Sequence, residues 1–440
     1  MGRPAARRAR RIPQEPAIFT RLLTVWEAVR TSLWALPLLM IAAAFALAYL
    51  VLTLGTGAPD LLTLFGGSSS QAPTFLSSLM TAMINMSTLA VSITMVVLTL
   101  AAQQLGPRLI RSFMSDRRTQ AALGLFVGTV IYLLLVLRNA YGVQNKVPVL
   151  AVTGGTVLVI VCLIVLILFL HHLARSVVAD SVIARVGAHL DDAIRRLCPE
   201  QDDGDSGADA AFDDAAPVPL RQGGYVQAVE HGVIARAAGS ASARVRVTAR
   251  AGNHALTGAV AAHITPAAAA TDGLRRTIQN AIVIGGERTT LQDIEYSVRH
   301  LVEVALRALS PGINDVYTAL AVIERLSLSL RLMVQRGAPR SVWRDEDGAL
   351  RVLASVSTFA GVTNAAFDQI RQNAGRNPAV LIALAEAIGQ LLAQARNDEQ
   401  RTALERQLRL VLAAGRRSIA DQDDLNDLEE RARLARGEAP

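Results

Sequence analysis

The chain of 440 residues is almost without lysine: of its 44 basic residues only Lys146 is a lysine, and the others are arginines. Phosphate-binding P-loops, kinase-type ATP sites and pyridoxal Schiff bases each need a lysine in a defined sequence context. Lys146 lies in the segment GVQNKVPVL between two hydrophobic stretches, which fits none of these contexts. The sequence therefore argues against these three classes of protein.

Cysteine and histidine are too sparse to predict a metal or redox centre. The two cysteines, Cys162 and Cys198, have no CxxC spacing and indicate neither a zinc site nor a disulfide framework. His171 and His172 are adjacent, so on a helix they point to different faces, which favours an interfacial anchor over a metal site. No nucleophile–base pair is visible, since His300 is equally consistent with a packed core position. We assign no catalytic residue, metal or cofactor; enzymatic activity stays open as the less favoured interpretation.

Charge is absent from the stretch Leu76–Ala102, which is long enough to cross a bilayer. It is one of four hydrophobic stretches, which lie near residues 33–54, 76–102, 121–137 and 148–170. The first of these is too long and begins too late to be a secretory signal peptide. The sequence therefore predicts a multi-pass protein with four transmembrane helices.

Basic residues are unevenly distributed between the hydrophobic stretches. Seven precede the first stretch, none lie in 55–75, four lie in 103–120 and two in 138–147. Because basic loops stay in the cytoplasm, we predict that both termini are cytoplasmic. The near-exclusive use of arginine together with abundant alanine is typical of a high-GC bacterial codon bias, so the predicted location is a bacterial inner membrane. The basic segment 1–31 directly abuts a span, which favours an amphipathic helix at the lipid surface over nucleic-acid binding. A disordered tail is an equal alternative for its first 15 residues.

Polar residues interrupt the second hydrophobic stretch at regular intervals. Four of them recur every seven residues and two more fall between at an offset of three; together they form the polar stripe, which consists of Ser78, Thr81, Asn85, Thr88, Ser92 and Thr99. On a helix this spacing places all six side chains on one narrow face. Lipid offers no hydrogen-bond partner, so the polar stripe must face protein or water.

Two interpretations of the polar stripe are open. In the first, stripes from several subunits line a weakly polar pore that opens at the cytoplasmic side near Arg108 and Arg111, two residues predicted to face the headgroups. In the second, small polar residues hold the helices of one subunit together. Asn85 lies at mid-depth and is costly there unless it meets a symmetry mate or water, which supports the first. The predicted partners are the lipid bilayer and further copies of the chain; the sequence indicates no particular ion or ligand.

The chain beyond the spans is predicted to be mostly helical. Residues 217–266 alternate apolar and polar side chains between glycine turns, as short half-buried strands do. The pattern Thr289–Gln292 is a capping box and predicts the start of a further helix. The predicted fold class is mainly α and integral to the membrane, with four transmembrane helices and a helical cytoplasmic region that contains a small β-module.

These features predict six consecutive segments. They are a basic amphipathic N-terminal segment at 1–31, a four-helix transmembrane domain at 32–170, a helical stalk at 171–199, an acidic linker at 200–216, a small β-module at 217–266 and a helical cytoplasmic domain at 267–440. The stalk continues the fourth span without proline or glycine at its start, so we expect one uninterrupted helix. The linker is acidic and of low complexity, which is typical of a flexible connection.

The most polar cluster of the cytoplasmic region consists of Arg288, Asp293, Ser310, Asn314 and Asp315. As a binding site, Arg288 would hold an anion while Asp293 and Asp315 balance its charge or bind a cation. As a structural feature, the sequence SPGIND ends one helix and starts the next, with Asn314 or Asp315 as the N-cap. The turn composition favours the structural interpretation.

Three segments together resemble one family of bacterial membrane proteins. They are LAAQQLGPRLIRSFMSDRRTQAALGLFVGTVIYLLLVLR at 100–138, GYVQAV at 224–229 and GERTTLQDIEYSVRHLVEVALRALSPGINDVYTAL at 286–320. On these segments the chain resembles the domain-of-unknown-function 2254 family, with Val316-Tyr317 where the family pattern has Pro-Phe. The resemblance implies four spans and a cytoplasmic domain. It implies no activity, so no catalytic residue is carried over.

The function that the sequence favours is an oligomeric, channel-like pore modulated by its cytoplasmic domain. The alternative is a membrane-anchored sensor or scaffold whose cytoplasmic domain binds a ligand or partner. A third hypothesis, an enzyme acting on a lipid or small molecule, places its site near 108–118. The spans contain no carboxylate or histidine, which favours a passive channel over a proton-coupled transporter.

Overall fold

A computed structural model describes residues 34–54, 71–105, 116–141, 149–176, 178–199, 212, 214–345, 347–375 and 377–437. Two compact units can be distinguished: the membrane unit, within Val25–Val182, and the C-terminal unit, whose described residues all lie in Ile183–Pro440. The basic segment 1–31, Arg108, Arg111 and nearly all of the acidic segment 200–216 lie outside the described residues.

The membrane unit consists of long apolar helices. They are α1 (Ala35–Leu54), α2 (Ala72–Leu105), α3 (Arg117–Ala140) and α4 (Val149–Ser176). All four are long and apolar enough to cross a bilayer. The prediction of four membrane spans is therefore confirmed.

Helix α3 is the centre of the membrane unit and packs against α1, α2 and α4. Glycine allows this close approach, because a Cβ on Gly124 would lie 2.8 Å from Sδ of Met40 on α1. A Cβ on Gly154 of α4 would likewise lie 2.8 Å from the hydroxyl oxygen of Tyr132. That hydroxyl donates to the carbonyl of Ala151 at 3.0 Å. Small residues thus bring helices of the same chain together.

The helix that follows the fourth span is a separate element. Helix α4 ends at Ser176, and α5 runs from Ala179 to Leu197. The expected uninterrupted helix is therefore wrong. The sequence around the break contains neither proline nor glycine, so no residue type signals it.

Strands occur in two parts of the C-terminal unit. They are β1 (Ala216–Pro219), β2 (Gly224–Val229), β3 (Arg244–Val247), β4 (His254–Ala255), β5 (Val260–Thr265), β6 (Ile282–Gly285), β7 (Val342–Arg344) and β8 (Leu350–Ala354). One sheet has the order β1-β5-β3-β8-β7, and the other has the order β4-β2-β6. Strands also lie beyond 217–266, because β6 belongs to the smaller sheet and β7 and β8 complete the larger one.

Strand β3 shows why the larger sheet forms. Its sequence RVRV alternates, so that Val245 and Val247 are buried while the two arginines are half-buried. Strand β8 lies beside it in parallel and places Val352 next to Val245. Helix α6 (His231–Ser240), which the alternation pattern did not separate from the strands, packs on this region. Helix α7 (Asp272–Asn280), which lies in the part of the chain predicted to be helical, packs there too.

Six further helices fill the rest of the C-terminal unit. They are α8 (Ile294–Ala308), α9 (Val316–Arg336), α10 (Phe359–Asn373), α11 (Pro378–Leu392), α12 (Asp398–Ser418) and α13 (Gln422–Ala435). Helix α8 packs against α9 and α10, and α9 packs against α11. The apolar face of α8 is buried, including Ile294, Val298 and Leu301.

The predicted capping box at the start of α8 is wrong. The N-cap residue is Asp293, whose side chain accepts from the backbone N–H of Tyr296 at 3.0 Å. Gln292 instead bonds to strand β2, where it accepts from the N–H of Val229 at 2.9 Å and donates to the carbonyl of the same residue at 3.2 Å. A tertiary contact therefore replaces the local one that the sequence pattern suggested.

Candidate functional site

The polar stripe lies on the side of α2 that points away from α1, α3 and α4. All six of its residues are exposed: Ser78, Thr81, Asn85, Thr88, Ser92 and Thr99. The opposite side of α2 buries Leu76, Met83 and Ala90. Asn85 follows Leu76 by nine residues, about two and a half helical turns, so the two side chains point in opposite directions.

Most of the stripe hydroxyls are bonded to their own helix. Four of them donate at 2.9–3.0 Å to the carbonyl oxygen four residues earlier; they belong to Ser78, Thr81, Thr88 and Thr99. Such bonds occupy the hydroxyl proton and leave acceptor lone pairs facing outward. Asn85 and Ser92 make no side-chain hydrogen bond within the described residues. The amide of Asn85 is thus the most polar unpaired group on this face.

Packing between the helices of one chain uses other polar groups. The hydroxyl of Thr129 on α3 lies 3.2 Å from the sulfur of Cys162 on α4, and both residues are buried. Together with the bond from Tyr132 to Ala151, this contact joins α3 to α4. Within the described residues the polar stripe contributes to no such contact between helices.

A hydrogen bond between side chains, which the sequence did not predict, joins the ends of α3 and α4. Asp116 is the N-cap of α3, and its Oδ2 lies 2.6 Å from Nε2 of His172. Burial raises the pKa of Asp116, but hydrogen bonds from His172, Thr119 and the backbone of Arg118 outweigh it, so the pKa is lowered overall. The described residues contain no group of three or more His, Cys, Asp or Glu side chains placed to hold a metal ion.

The polar cluster is divided by the structure into two separate parts. In the first part Arg288 donates from Nε to Oδ2 of Asp293 at 2.9 Å and from Nη2 to the same oxygen at 2.5 Å. Its guanidinium also lies 5.1 Å from the ring centre of Tyr296. Asp293 is only 2% exposed, and this burial raises its pKa although the bonds from Arg288 act in the opposite direction. Arg288 therefore neutralises a buried carboxylate.

A second ion pair and a glycine support this part of the cluster. Nη1 of Arg250 donates to Oε1 of Glu295 at 2.7 Å, and Glu295 is buried. Gly252 has a φ of 89°, and a Cβ there would overlap the carboxylate of Asp293. The turn that carries Gly252 thus covers Asp293 closely, and only glycine fits at this position.

The second part of the cluster is the turn between α8 and α9. Asp315 is the N-cap of α9: Oδ1 accepts from the N–H of Thr318 at 3.1 Å and Oδ2 accepts from its hydroxyl at 2.6 Å. Ser310 donates to the carbonyl of Arg307 at 2.7 Å, and Asn314 has a φ of 50°. These bonds end one helix and begin the next. Asp315, and not Asn314, supplies the cap.

Replacing Asp315 by alanine is expected to lower the free energy of unfolding of the C-terminal unit by about 1 kcal/mol, because the N-cap bond is lost. The matched control is Asp315→Asn, which keeps a capping oxygen and is expected to retain most of this stability. The measurement is chemical denaturation of the full-length protein in detergent. Its fluorescence signal comes from Trp343, after Trp26 and Trp34 have been replaced by phenylalanine (the single-tryptophan background).

The loss of stability in Asp315→Ala should depend on pH, and the shifted pKa of Asp315 gives the direction. Hydrogen bonds from Thr318 lower the pKa of Asp315, so its stabilising contribution is present above the ordinary pKa and is lost as the pH falls through the lowered value. The difference between the wild type and Asp315→Ala should therefore shrink in acid. Equal stability of the two proteins at neutral pH would show that the cap contributes nothing.

Comparison with known proteins identifies relatives along most of the chain. The family model described as "Predicted membrane protein (DUF2254)" matches residues 30–390. Two similar proteins are the uncharacterized proteins Rv1290c of Mycobacterium tuberculosis and Mb1321c of Mycobacterium bovis. Each is 29% identical over 423 residues, which cover 93% of this chain and 81% of the relative. No solved structure matches the chain. The resemblance carried by the three sequence segments is confirmed.

Proposed function

We propose that this chain, which belongs to the domain-of-unknown-function 2254 family of predicted membrane proteins, forms a homo-oligomer whose polar stripes line a channel-like path across the bacterial inner membrane. The C-terminal unit faces the cytoplasm in this proposal and modulates the path. The observation that carries the proposal is the polar stripe, which is exposed on the reverse side of α2 with Asn85 unpaired.

Energetics support an assembled state. Moving an amide from water to an apolar medium without a hydrogen-bond partner costs about 2–7 kcal/mol. A single chain in lipid would carry this cost at Asn85 and a smaller one at Ser92. In a symmetric assembly the same face of every copy turns toward a shared axis, where amides meet one another or water. The seven-residue spacing of the stripe suits parallel helices that supercoil about such an axis.

The chemistry of the stripe supports a passive path. Its hydroxyl and amide groups carry no formal charge, and the back-bonded hydroxyls present acceptor oxygens outward. Rings of such groups replace part of the hydration shell of a passing solute without holding it tightly. The stripe contains no titratable side chain to couple passage to proton transfer.

The proposed orientation rests on the distribution of basic residues. Seven basic residues precede the first span and none lie in 55–75, whereas four lie in 103–120. A positive charge bias of this kind keeps the N-terminus, the loop after α2 and the C-terminal unit on the cytoplasmic side.

The decisive experiment is planar-bilayer recording with the purified oligomer. We expect a conductance for the wild type that falls to the protein-free background in Asn85→Leu, because a ring of leucines makes the path apolar at mid-depth. The control is Val91→Leu, on an exposed apolar position of the same helix six residues away, which should conduct like the wild type. Oligomeric state is measured for each protein by light scattering.

The accessibility of an introduced cysteine distinguishes a water-filled path from a subunit interface that excludes water. Both native cysteines are buried, so a cysteine introduced at position 85 is read against a low background. A charged, water-soluble thiol reagent should modify Asn85→Cys and leave Val91→Cys, which faces lipid, unmodified. An oligomer that neither conducts nor admits the reagent contradicts the pore and favours the alternative, a membrane-anchored sensor or scaffold.

A further inference from the structure

A cavity of about 160 Å³ lies within the C-terminal unit. Its principal side chains are Arg196, His231, Arg250, Arg340, Trp343 and Ser357. They come from the end of α5, the start of α6, the loop after β3, the region of β7 and the loop after β8. Five segments that are distant in the sequence therefore meet at one place. None of these residues belongs to the polar stripe or to the polar cluster.

The cavity carries a positive charge that the described carboxylates leave uncompensated. Arg250 is paired with Glu295 at 2.7 Å. Arg196 donates only to backbone carbonyls, of which that of Leu291 lies at 3.0 Å, and Arg340 donates to the carbonyl of Val342 at 2.6 Å. Neither Arg196 nor Arg340 forms an ion pair with a described residue. Two guanidinium charges therefore remain available at the cavity.

One buried polar atom of the cavity has no partner. Nε2 of His231 is buried and makes no hydrogen bond within the described part of the chain. An unpaired buried group costs about 1–3 kcal/mol, so a ligand that accepts a hydrogen bond from His231 would recover this cost on binding. The hydroxyl of Ser357, a residue only 5% exposed, also makes no hydrogen bond with the described residues and offers a second donor.

The histidine is held in a fixed, uncharged form. Its ring stacks on Trp343 with the ring centres 4.1 Å apart and the planes at 18°. Burial lowers the pKa of His231 to about 4, so the imidazole is neutral at physiological pH. A neutral imidazole with its proton on Nε2 is a hydrogen-bond donor and adds no charge.

We propose that this cavity binds a phosphate group. Arg196 and Arg340 compensate its charge, and Ser357 and His231 donate hydrogen bonds to its oxygens. The cavity volume of about 160 Å³ is large enough for a tetrahedral oxyanion. The phosphate group belongs to a soluble molecule or to a lipid headgroup. The inference rests on the proposed function in one respect, because the bound phosphate would be the ligand that modulates the path. Phosphate binding is measured without any conductance recording, so its result is independent of whether the pore exists.

The test is a titration of the full-length protein in detergent with inorganic phosphate. Isothermal calorimetry should give saturable binding, and emission from Trp343 in the single-tryptophan background should change with the same dissociation constant, because this ring lines the cavity. Sulfate should compete, since it has the same shape, and chloride at equal ionic strength should not.

Variants assign the binding to the cavity. Arg340→Gln and Ser357→Ala are each expected to weaken phosphate binding about tenfold, which corresponds to ~1.4 kcal/mol. The matched control is Arg331→Gln, an exposed arginine of α9 outside the cavity lining, which removes the same charge and should leave the dissociation constant unchanged. A loss as large in Arg331→Gln would mean that net charge alone attracts the anion and would overturn the proposal.

Short-chain phosphatidic acid, with the matching diacylglycerol as its blank, distinguishes the two sources of the phosphate group. If phosphatidic acid binds and inorganic phosphate does not, and Arg340→Gln and Ser357→Ala both weaken that binding, the natural source is a lipid headgroup. If inorganic phosphate binds with the same variant effects and phosphatidic acid binds no more tightly, the source is a soluble molecule; tighter binding of phosphatidic acid than of inorganic phosphate assigns the source to a lipid headgroup. Absence of binding by both probes overturns the site.

Discussion

Replacing Gly252 by alanine is expected to destabilise the C-terminal unit by about 3–5 kcal/mol, the cost of breaking a buried ion pair. A Cβ at this position would overlap Oδ2 of Asp293 and lie 2.8 Å from Nη2 of Arg288. The backbone is not free to retreat, because the N–H of Gly252 donates to the carbonyl of Val226 at 2.8 Å. Either the turn moves away from strand β2 or the ion pair separates. Denaturation in the single-tryptophan background measures the loss.

Gly258 offers a matched control within the same unit. Its φ of 83° is close to the 89° of Gly252, but a Cβ there would meet nothing within 4 Å. Gly258→Ala should therefore cost only the backbone strain of a left-handed residue, about 1–2 kcal/mol. The difference between the two variants isolates the contact with the ion pair. Equal losses would show that Asp293 and Arg288 adapt to the extra methyl group at no cost.

The membrane spans could be predicted from the sequence because their signal is local. About 20 consecutive apolar residues are sufficient evidence for a span, whatever the helices contact. The break between α4 and α5 could not be predicted, since the segment between them has helical periodicity and lacks proline and glycine. Strand β8 pairs in parallel with β3 from more than a hundred residues away, and such pairing leaves no local pattern.

The polar stripe shows what periodicity can and cannot decide. A spacing of seven fixes which side chains share a face of α2. It does not fix where that face points, because this depends on which side of α2 contacts the neighbouring helices. Leu76, Met83 and Ala90 fill that role, and their burial turns Asn85 outward. The direction in which the polar stripe points is therefore known only from the packing of the helices.

The polar cluster and the phosphate cavity differ in how far their roles can be predicted from the sequence. Asp315 caps a helix that begins at the next residue, so its role follows from the local sequence. His231 is an ordinary residue in sequence, and its importance arises from the burial of Nε2 without a partner. A sequence does not show which polar groups remain unpaired after folding, because that depends on every neighbour in space.

Replacing Arg288 by alanine is expected to reduce the free energy of unfolding of the C-terminal unit by about 3–5 kcal/mol, because the variant buries the charge of Asp293 without its counter-ion. The remaining N-cap bond from Tyr296 satisfies one carboxylate oxygen only. The matched variant is Arg288→Ala combined with Asp293→Asn, which keeps a capping oxygen and removes the charge. It should be more stable than Arg288→Ala alone, although it lacks one more native side chain. Denaturation in the single-tryptophan background compares the three proteins.

The pH dependence tests whether the buried charge is the cause. Burial raises the folded-state pKa of Asp293 above its ordinary value of 3.8, so the folded protein binds more protons than the unfolded chain just above that pH. Stability therefore falls as the pH rises through this window. Without Arg288 the bonds that lower the pKa are gone, the pKa rises further and the window extends toward neutral pH. The deficit of Arg288→Ala should accordingly grow from acid to neutral pH, whereas the stability of the double variant should lack this pH dependence, because it has no carboxyl group at position 293. A deficit in Arg288→Ala that does not change with pH would assign its cause to lost packing against Tyr296 and not to the charge of Asp293.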